Sequence, residues 1–299
     1  MDWLPSATIA YFVWSIATLI SKVLLSRYVS NLIVYTVSLG IVSLLPLLLA
    51  PTQGLTIPDP GLFSLALVGG VLYIVVILLY FKALSLEEAS RVIPLWRFTP
   101  IFVLLFSGYF INEQLTPYQL TAFALLVLGG FGVSIKRIGD TFKLSPAFYW
   151  MLLSSLIGAI YNVLVKFIYL QLPYYSGFTL IRLGVPLTAG VVLLFPKNCR
   201  VLLSSLAAVS HPIKALILFN GVLDLIGLAF LNFAISRAPI TLVNASAGIQ
   251  AVFVLLLSTA LSWKFPQVLQ EEIDRKAFIQ KLGAITLIAM GTALLAIAA

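Results

Sequence analysis

The sequence predicts an all-α polytopic membrane protein, with ten transmembrane helices forming two inverted five-helix repeats. Three observations predict it. Polar residues are too few to cover a water-facing surface, apolar segments of spanning length recur along the whole chain, and one half of the sequence matches the other. With 61% hydrophobic and 9% charged residues among 299, and a mean hydropathy of +1.10, the chain is far more apolar than a soluble domain. A helix of about 20 apolar residues crosses a hydrocarbon core of about 30 Å.

The expected spans are 3–26, 31–50, 61–84, 89–109, 118–135, 146–170, 175–195, 213–236, 240–262 and 279–298. The first follows Met1-Asp2 without a basic n-region and outruns the core of a signal peptide, so it is expected to be retained. The second ends in the turn residues Pro51-Thr52-Gln53-Gly54, and the third begins after Pro58-Asp59-Pro60-Gly61. The fourth contains PLWRFTPIF (94–102), an arginine between two prolines. The seventh carries Arg182 and Pro186 and ends at the turn residues Pro196-Lys197-Asn198, and the eighth carries Asp224. Cys199 and His211 are expected in the following loop with no special role, and neither a disulfide nor a metal site is expected.

A net charge of +8 would suit nucleic acid, but the basic residues are spread over short loops, so no nucleic-acid partner is expected. They report topology instead. Loops after spans 1, 3, 5, 7 and 9, with the adjoining helix ends, hold Arg27, Lys82, Arg91, Lys136, Arg137, Lys143, Lys197, Arg200, Lys214, Lys264, Arg275, Lys276 and Lys281; the other side holds Arg237. The positive-inside rule then puts both termini away from the cytoplasm.

Shifting the sequence by 151 residues lays GGVLY (69–73) on NGVLD (220–224), FKALS (81–85) on NFAIS (232–236), and IFVLLFS (101–107) on VFVLLLS (252–258). After an insertion of ten residues in the second half, YQLTAFALLVLGG falls on IQKLGAITLIAMG, and WSIATLISK (14–22) pairs more loosely with GAIYNVLVK (158–166). The first repeat is expected over 1–138 and the second over 139–299. Five spans per repeat is an odd number, so the second must enter the bilayer from the opposite side, an arrangement suited to alternating access.

With these features the chain resembles the EamA family of the drug/metabolite transporter superfamily, ten-helix carriers built from two five-helix repeats. The resemblance rests on Trp14-Ser15 with Lys22, Ala89 with Pro94 and Pro100, Glu113-Gln114-Leu115-Thr116, Gln119, and Gly129, Gly130 and Gly132. It implies export, and it implies cytoplasmic termini, against the charge bias. Two departures stand out: Lys264 occupies the place of Glu113 in the second half, and VLQEEIDRKAF (268–278) lengthens its loop.

A charge at mid-bilayer costs about 2.5–3.5 kcal/mol on insertion scales, so each must face a cavity or a partner. Arg97, Arg182 and Asp224 are the central ones. Lys22 and Lys166, nearer helix ends, either snorkel or line a cavity entrance. Arg97 lies at the position of Gly248 and Tyr73 at that of Asp224, so the two walls of a central site would differ. Tyr73, Trp96, Asn220, Asn244, Gln250, Asn162 and Trp14 complete the candidate substrate-binding set. Either Arg97 and Asp224 form a buried ion pair or both face the cargo, in which case Asp224 is the proton-coupling candidate. Pro94, Pro100 and Pro186 are expected helix kinks.

These residues point to a secondary active transporter of a small polar or amphipathic metabolite, such as an amino acid or organic anion, in the bacterial inner membrane. No cofactor is expected, the partners are the small-molecule substrate and membrane lipid, and the assembly is a monomer or homodimer. A flippase for a lipid or polyprenyl headgroup, or a channel-like facilitator, remains the alternative. An enzyme is disfavoured because no histidine falls in a span and no carboxylates are paired for acid–base work.

Overall fold

The computed structural model describes residues 3–27, 32–84, 86, 93–134, 146–264 and 275–297, and these form helices joined by short connections. In the first half they are α1 (Trp3–Arg27), α2 (Leu32–Val42), α3 (Ala50–Gln53), α4 (Pro60–Leu84), α5 (Thr99–Phe110) and α6 (Pro117–Ser134). The second half holds α7 (Pro146–Gln171), α8 (Tyr174–Leu193), α9 (Pro196–Ala207), α10 (His211–Arg237), α11 (Ile240–Ala245), α12 (Gly248–Lys264) and α13 (Arg275–Ile297).

Among the described residues seven segments are long and apolar enough to cross a membrane: Trp3–Ser21, Thr36–Gln53, Pro60–Ala83, Pro146–Gln171, Tyr174–Leu193, His211–Arg237 and Ile240–Leu257. Shorter apolar stretches, Thr99–Phe110, Pro117–Gly132 and Leu282–Leu295, overlap the remaining three expected spans. The protein is an integral, multi-pass membrane protein. Its outer surface is apolar, with Leu48, Leu105, Leu128 and Leu170 exposed, while serine, threonine, asparagine and arginine lie inside. That inversion fits a hydrocarbon solvent.

Small residues let the helices approach closely. On α4, Leu62, Ala66, Gly69-Gly70 and Tyr73 fall at helical spacing on its buried face. Gly70 meets Gly184 of α8 backbone to backbone: a Cβ on Gly184 would lie 2.9 Å from the Gly70 Cα. Likewise a Cβ on Gly291 of α13 would lie 2.9 Å from the Leu126 Cγ of α6. The main packing partners run across the two halves: α1 with α10 and α12, α7 with α4 and α5, α2 with α8, and α6 with α13.

Three expected spans depart from continuous helix. The fourth, 89–109, is described from residue 93: Ile93–Phe98 winds as a tight 3₁₀ turn and the α-helix starts at Thr99. Pro94 and Pro100 have no N–H to give the preceding turn, so the backbone changes pitch between them. The ninth, 240–262, stops at Ala245 and resumes at Gly248. The second is helical only to Val42, then passes through a 3₁₀ turn, Leu45–Leu49, that holds Pro46, and the short α3. Pro51-Thr52-Gln53, read as a turn, belongs to α3, and Gly54, at φ 70°, ends it.

Pro196-Lys197-Asn198 is likewise not a turn but the start of α9, and Cys199 lies within that helix. A proline at the first helical position costs no hydrogen bond there, so the same residue that ends α8 begins α9. Asn198 Nδ2 and Cys199 Sγ donate to the Val192 and Leu193 carbonyls, at 2.8 and 3.1 Å, capping the end of α8. His211 opens α10 and is not in a loop.

Candidate functional site

At the centre of the bundle α4, α7, α8 and α10 bring polar groups together. Tyr73 of α4 donates its hydroxyl to Asp224 Oδ2 of α10, at 2.7 Å. Arg182 of α8 lies over the same tyrosine ring, its Cζ 4.3 Å from the centroid. Tyr161 of α7 packs its ring 5.8 Å from that of Tyr73. Trp14 of α1 closes the group by donating Nε1 to the Asp224 carbonyl, at 3.1 Å. The approach is possible because Gly227 has no side chain; a Cβ there would sit 2.6 Å from the indole nitrogen.

Arg182 is 2% exposed, and among the described residues neither its Nε nor its Nη2 has a hydrogen-bond partner. Two further buried hydroxyls nearby, Tyr161 and Thr179, are also without one. Thr179 precedes Arg182 by one turn of α8. Asp224, bonded to the same tyrosine, lies within electrostatic reach of Arg182 without a direct ion pair, so the cost of burying the guanidinium, several kcal/mol when unpaired, is offset only in part. The cation–π contact with Tyr73 returns about 2 kcal/mol when desolvated. The deficit that remains is what a bound anion would cancel, and the free Nε–Nη2 edge is the edge that binds a carboxylate or phosphate with two parallel hydrogen bonds. Pro186, inside α8, has no N–H for the Arg182 carbonyl and so loosens the helix at this residue.

Of the candidate residues, the structure brings Tyr73, Asp224, Arg182 and Trp14 together. Asn162 and Asn244 form a separate pair, Asn162 Nδ2 donating to Asn244 Oδ1 at 3.2 Å. Gln250 Nε2 reaches Thr18 Oγ1 at 3.4 Å, a long bond. Asn220 donates to Ser21 Oγ at 2.9 Å, and its buried Oδ1 is left without a donor among the described residues. Trp96 packs on Tyr80, ring centroids 4.5 Å apart, in a different cluster with Ala83 and Met151. The side chains of Arg97 and Pro94 lie outside the described residues. Pro100 is buried in the first turn of α5.

Lys166 neither snorkels freely nor stands alone: its Nζ donates to the Ile235 and Ala238 carbonyls, at 2.8 Å each. Tyr161, Thr179, Tyr169 and Asn232 were not singled out in the sequence, although Tyr169 donates to Asn232 Oδ1 at 2.7 Å within the core. The available signal was a buried-type polar residue in mid-span, the same signal that marks Tyr73.

Residues 2–135 match the model of the EamA-like transporter family. Over these residues, a little under half of the chain, the protein is similar to EamA-like transporters of the drug/metabolite transporter superfamily. The matched family is one of membrane transporters, which agrees with the apolar spans of this chain. A solved crystal structure of a protein 17% identical in sequence matches with a TM-score of 0.72, over 100% of this chain and 99% of that one, a likeness of fold. No curated protein matches the sequence.

Within the matched residues the Glu-x-Leu-Thr segment, Glu113 to Thr116, ends one helix and starts the next. Asn112, at φ 51°, ends α5 in the left-handed region, and the N–H groups of Ile111 and Glu113 both reach the Ser107 carbonyl at 3.1 Å. Thr116 and Gln119 then cap α6 reciprocally: Thr116 N–H donates to Gln119 Oε1 at 2.9 Å, and Gln119 N–H to Thr116 Oγ1 at 3.3 Å.

Proposed function

We propose that this protein is a secondary active transporter that moves a small polar or amphipathic metabolite with an anionic group, such as an amino acid or organic anion, by alternating access. The observation that carries the reading is Arg182: a buried guanidinium with an unpartnered edge, stacked on Tyr73 and next to the Tyr73–Asp224 bond. Asp224 is the candidate for proton coupling, and export across a bacterial inner membrane is the direction the family resemblance favours.

The moving parts are ten membrane helices in two inverted repeats, 1–138 and 139–299. Three features support this. The partners α1–α10 and α7–α4 are the same contact seen from each half, as are α1–α12 and α7–α5. Tyr73 and Asp224, 151 residues apart, touch, as residues beside a two-fold axis would. Shifted by the same 151, the Ser246-Ala247 break falls on Leu95-Trp96, inside the 3₁₀ turn. Paired broken helices near the midplane are where carriers of this kind place substrate and hinge.

A second reading, transport of a lipid or polyprenyl headgroup, is favoured by one observation. An apolar cleft of about 450 Å³, lined by Leu44, Phe63, Leu67, Leu183, Pro186 and Leu187, opens beside α4 and α8, the helices that carry Tyr73 and Arg182.

A thermal-shift screen of purified protein over amino acids, nucleosides, sugars and organic anions separates the two, because a ligand stabilises the native state in proportion to its occupancy. Anionic hits should shift the wild type, lose the shift in Arg182→Gln and show counterflow in proteoliposomes. Absence of any soluble hit, with headgroup translocation in liposomes, would give the second reading. Binding and transport unchanged in Arg182→Gln would remove the central site altogether.

A further inference from the structure

At one end of the bundle the corner between α10 and α11, residues 237–240, is held by two side chains of opposite charge. Glu113, in the α5–α6 connection, accepts from the Ile240 N–H on Oε2 at 2.7 Å. Its Oε1 accepts from the Thr241 N–H at 3.0 Å and from the Thr241 hydroxyl at 2.5 Å. Thr241 Oγ1 also lies 2.9 Å from Ser107 Oγ on α5. Lys166 of α7 donates to the Ile235 and Ala238 carbonyls. The anion thus sits on the first N–H groups of α11 and the cation on the last carbonyls of α10, the sign that each helix end prefers.

We propose that Glu113 is a gate latch: its contacts with Ile240 and Thr241 hold α11 shut over the central site from the end formed by the α5–α6 and α10–α11 connections. α11 is built as a short lever, six residues between Pro239 and the break at Ser246-Ala247. An open cleft of about 310 Å³, lined by Glu113, Lys166, Arg237 and Pro239 with Ile111 and Leu170, lies just outside it. α11 itself carries Asn244, which accepts from Asn162 of α7, and, one turn from Thr241, buried Ala245. In sequence the place of Glu113 is taken in the second half by Lys264, which cannot accept hydrogen bonds, so the carboxylate of this latch is not repeated at the matching position. The two ends then differ in how readily they open. Glu113 acts by positioning α11 and does not touch the cargo.

The latch rests on the alternating-access reading, but its test needs no substrate. Full-length protein in lipid nanodiscs, with Cys199→Ser removing the native thiol, carries Ala245→Cys as a reporter, and the rate of its reaction with N-ethylmaleimide is measured. Glu113→Gln keeps the volume but turns an acceptor into a donor facing the α11 N–H groups, and the loss of one charge-assisted bond predicts a rate rise of about tenfold. Thr241→Val, which removes only the hydroxyl contacts, should give a smaller rise. Ala122→Cys, buried between α6 and α13, is the control for loss of fold and should stay unreactive throughout. A reporter rate within twofold of the parent in both variants overturns the latch, and so does a parallel rise at Ala122→Cys. Failure of the transport reading would show elsewhere, as counterflow and binding indifferent to Arg182→Gln.

Discussion

Replacing Tyr73 by phenylalanine tests the centre of the bundle with the least collateral change. The ring stays beneath Arg182, so the cation–π contact is kept; only the hydroxyl that donates to Asp224 at 2.7 Å is lost. A hydrogen bond to a charged group contributes about 1.5–3 kcal/mol, and the acceptor left behind is desolvated. In chains approaching this size each kcal/mol moves the melting midpoint by about 2–4 °C, so a fall of about 3–12 °C is expected in detergent. Asp224→Asn alone still accepts from Tyr73, as a neutral bond of about 1 kcal/mol, and should cost less of that particular interaction. The double variant isolates the pair. If the bond exists, the two single losses exceed the double loss by about 0.5–2 kcal/mol, at or above the additivity limit of about 0.3–0.5 kcal/mol shown by independent sites. Unfolding midpoints of the four proteins, measured in one detergent and with equal slopes, give the cycle. Additive losses would mean that Tyr73 and Asp224 are neighbours without a working hydrogen bond, and the argument that links α4 to α10 through them would fall.

Other outcomes follow from the packing and the caps. Gly184→Ala forces a methyl against the backbone of α4, where nothing flexible can yield. It should cost about 1–3 kcal/mol, the usual range for overpacking, read as a lowered melting midpoint. Gly190→Ala on the same helix meets nothing within 4 Å and is the matched control. It should stabilise by about 0.4–1 kcal/mol; equal losses at the two positions would refute the close α4–α8 crossing. Thr116→Ala removes the half of the α6 capping pair that the threonine hydroxyl accepts, leaving the residue 116 N–H on Gln119, and should cost about 0.5–2 kcal/mol. Hydrogen exchange should show that loss as faster exchange in the first turn of α6, with α13 unchanged; uniform acceleration along the chain would contradict it.

Much of this organisation is legible in the sequence because the bilayer leaves so few solutions. Apolar length gives the spans, and the 151-residue offset that lays Tyr73 on Asp224 anticipates two residues that meet in space. The breaks were harder to see. Pro94 and Pro100 announce the 3₁₀ turn, whereas nothing in TLVNASAGIQ except the small residues Ser246, Ala247 and Gly248 marks the interruption of the ninth span. Amphipathic α9 was hidden because Pro196 reads equally as a stop and as a first helical residue. The site was legible by residue type and not by partner: a mid-span charge declares that it needs company, but which helix supplies it depends on how helices far apart in sequence cross. Hence the sequence set Arg97 against Asp224, while the described side chains bring Tyr73 to Asp224 and Arg182 to Tyr73.

The choice of residues beside the proposed two-fold axis has a physical reason. There, each position faces its own counterpart from the other half, so a symmetric pair of carboxylates or of guanidiniums would confront like with like at a few ångströms, in a medium that screens poorly. A tyrosine opposite an aspartate turns that confrontation into a donor–acceptor bond. The remaining charge, on Arg182, is displaced from the axis onto the face of the tyrosine ring. The same logic separates Glu113 from Lys264: symmetry-related gates carrying one sign of charge would be equally strong, and the carrier would have no preferred resting end. On the alternating-access reading proposed above, a carboxylate that satisfies α11 at one end, with a lysine at the matching sequence position, makes the two conformations unequal in free energy. In that proposal the task of substrate binding at Arg182 is to offset that difference.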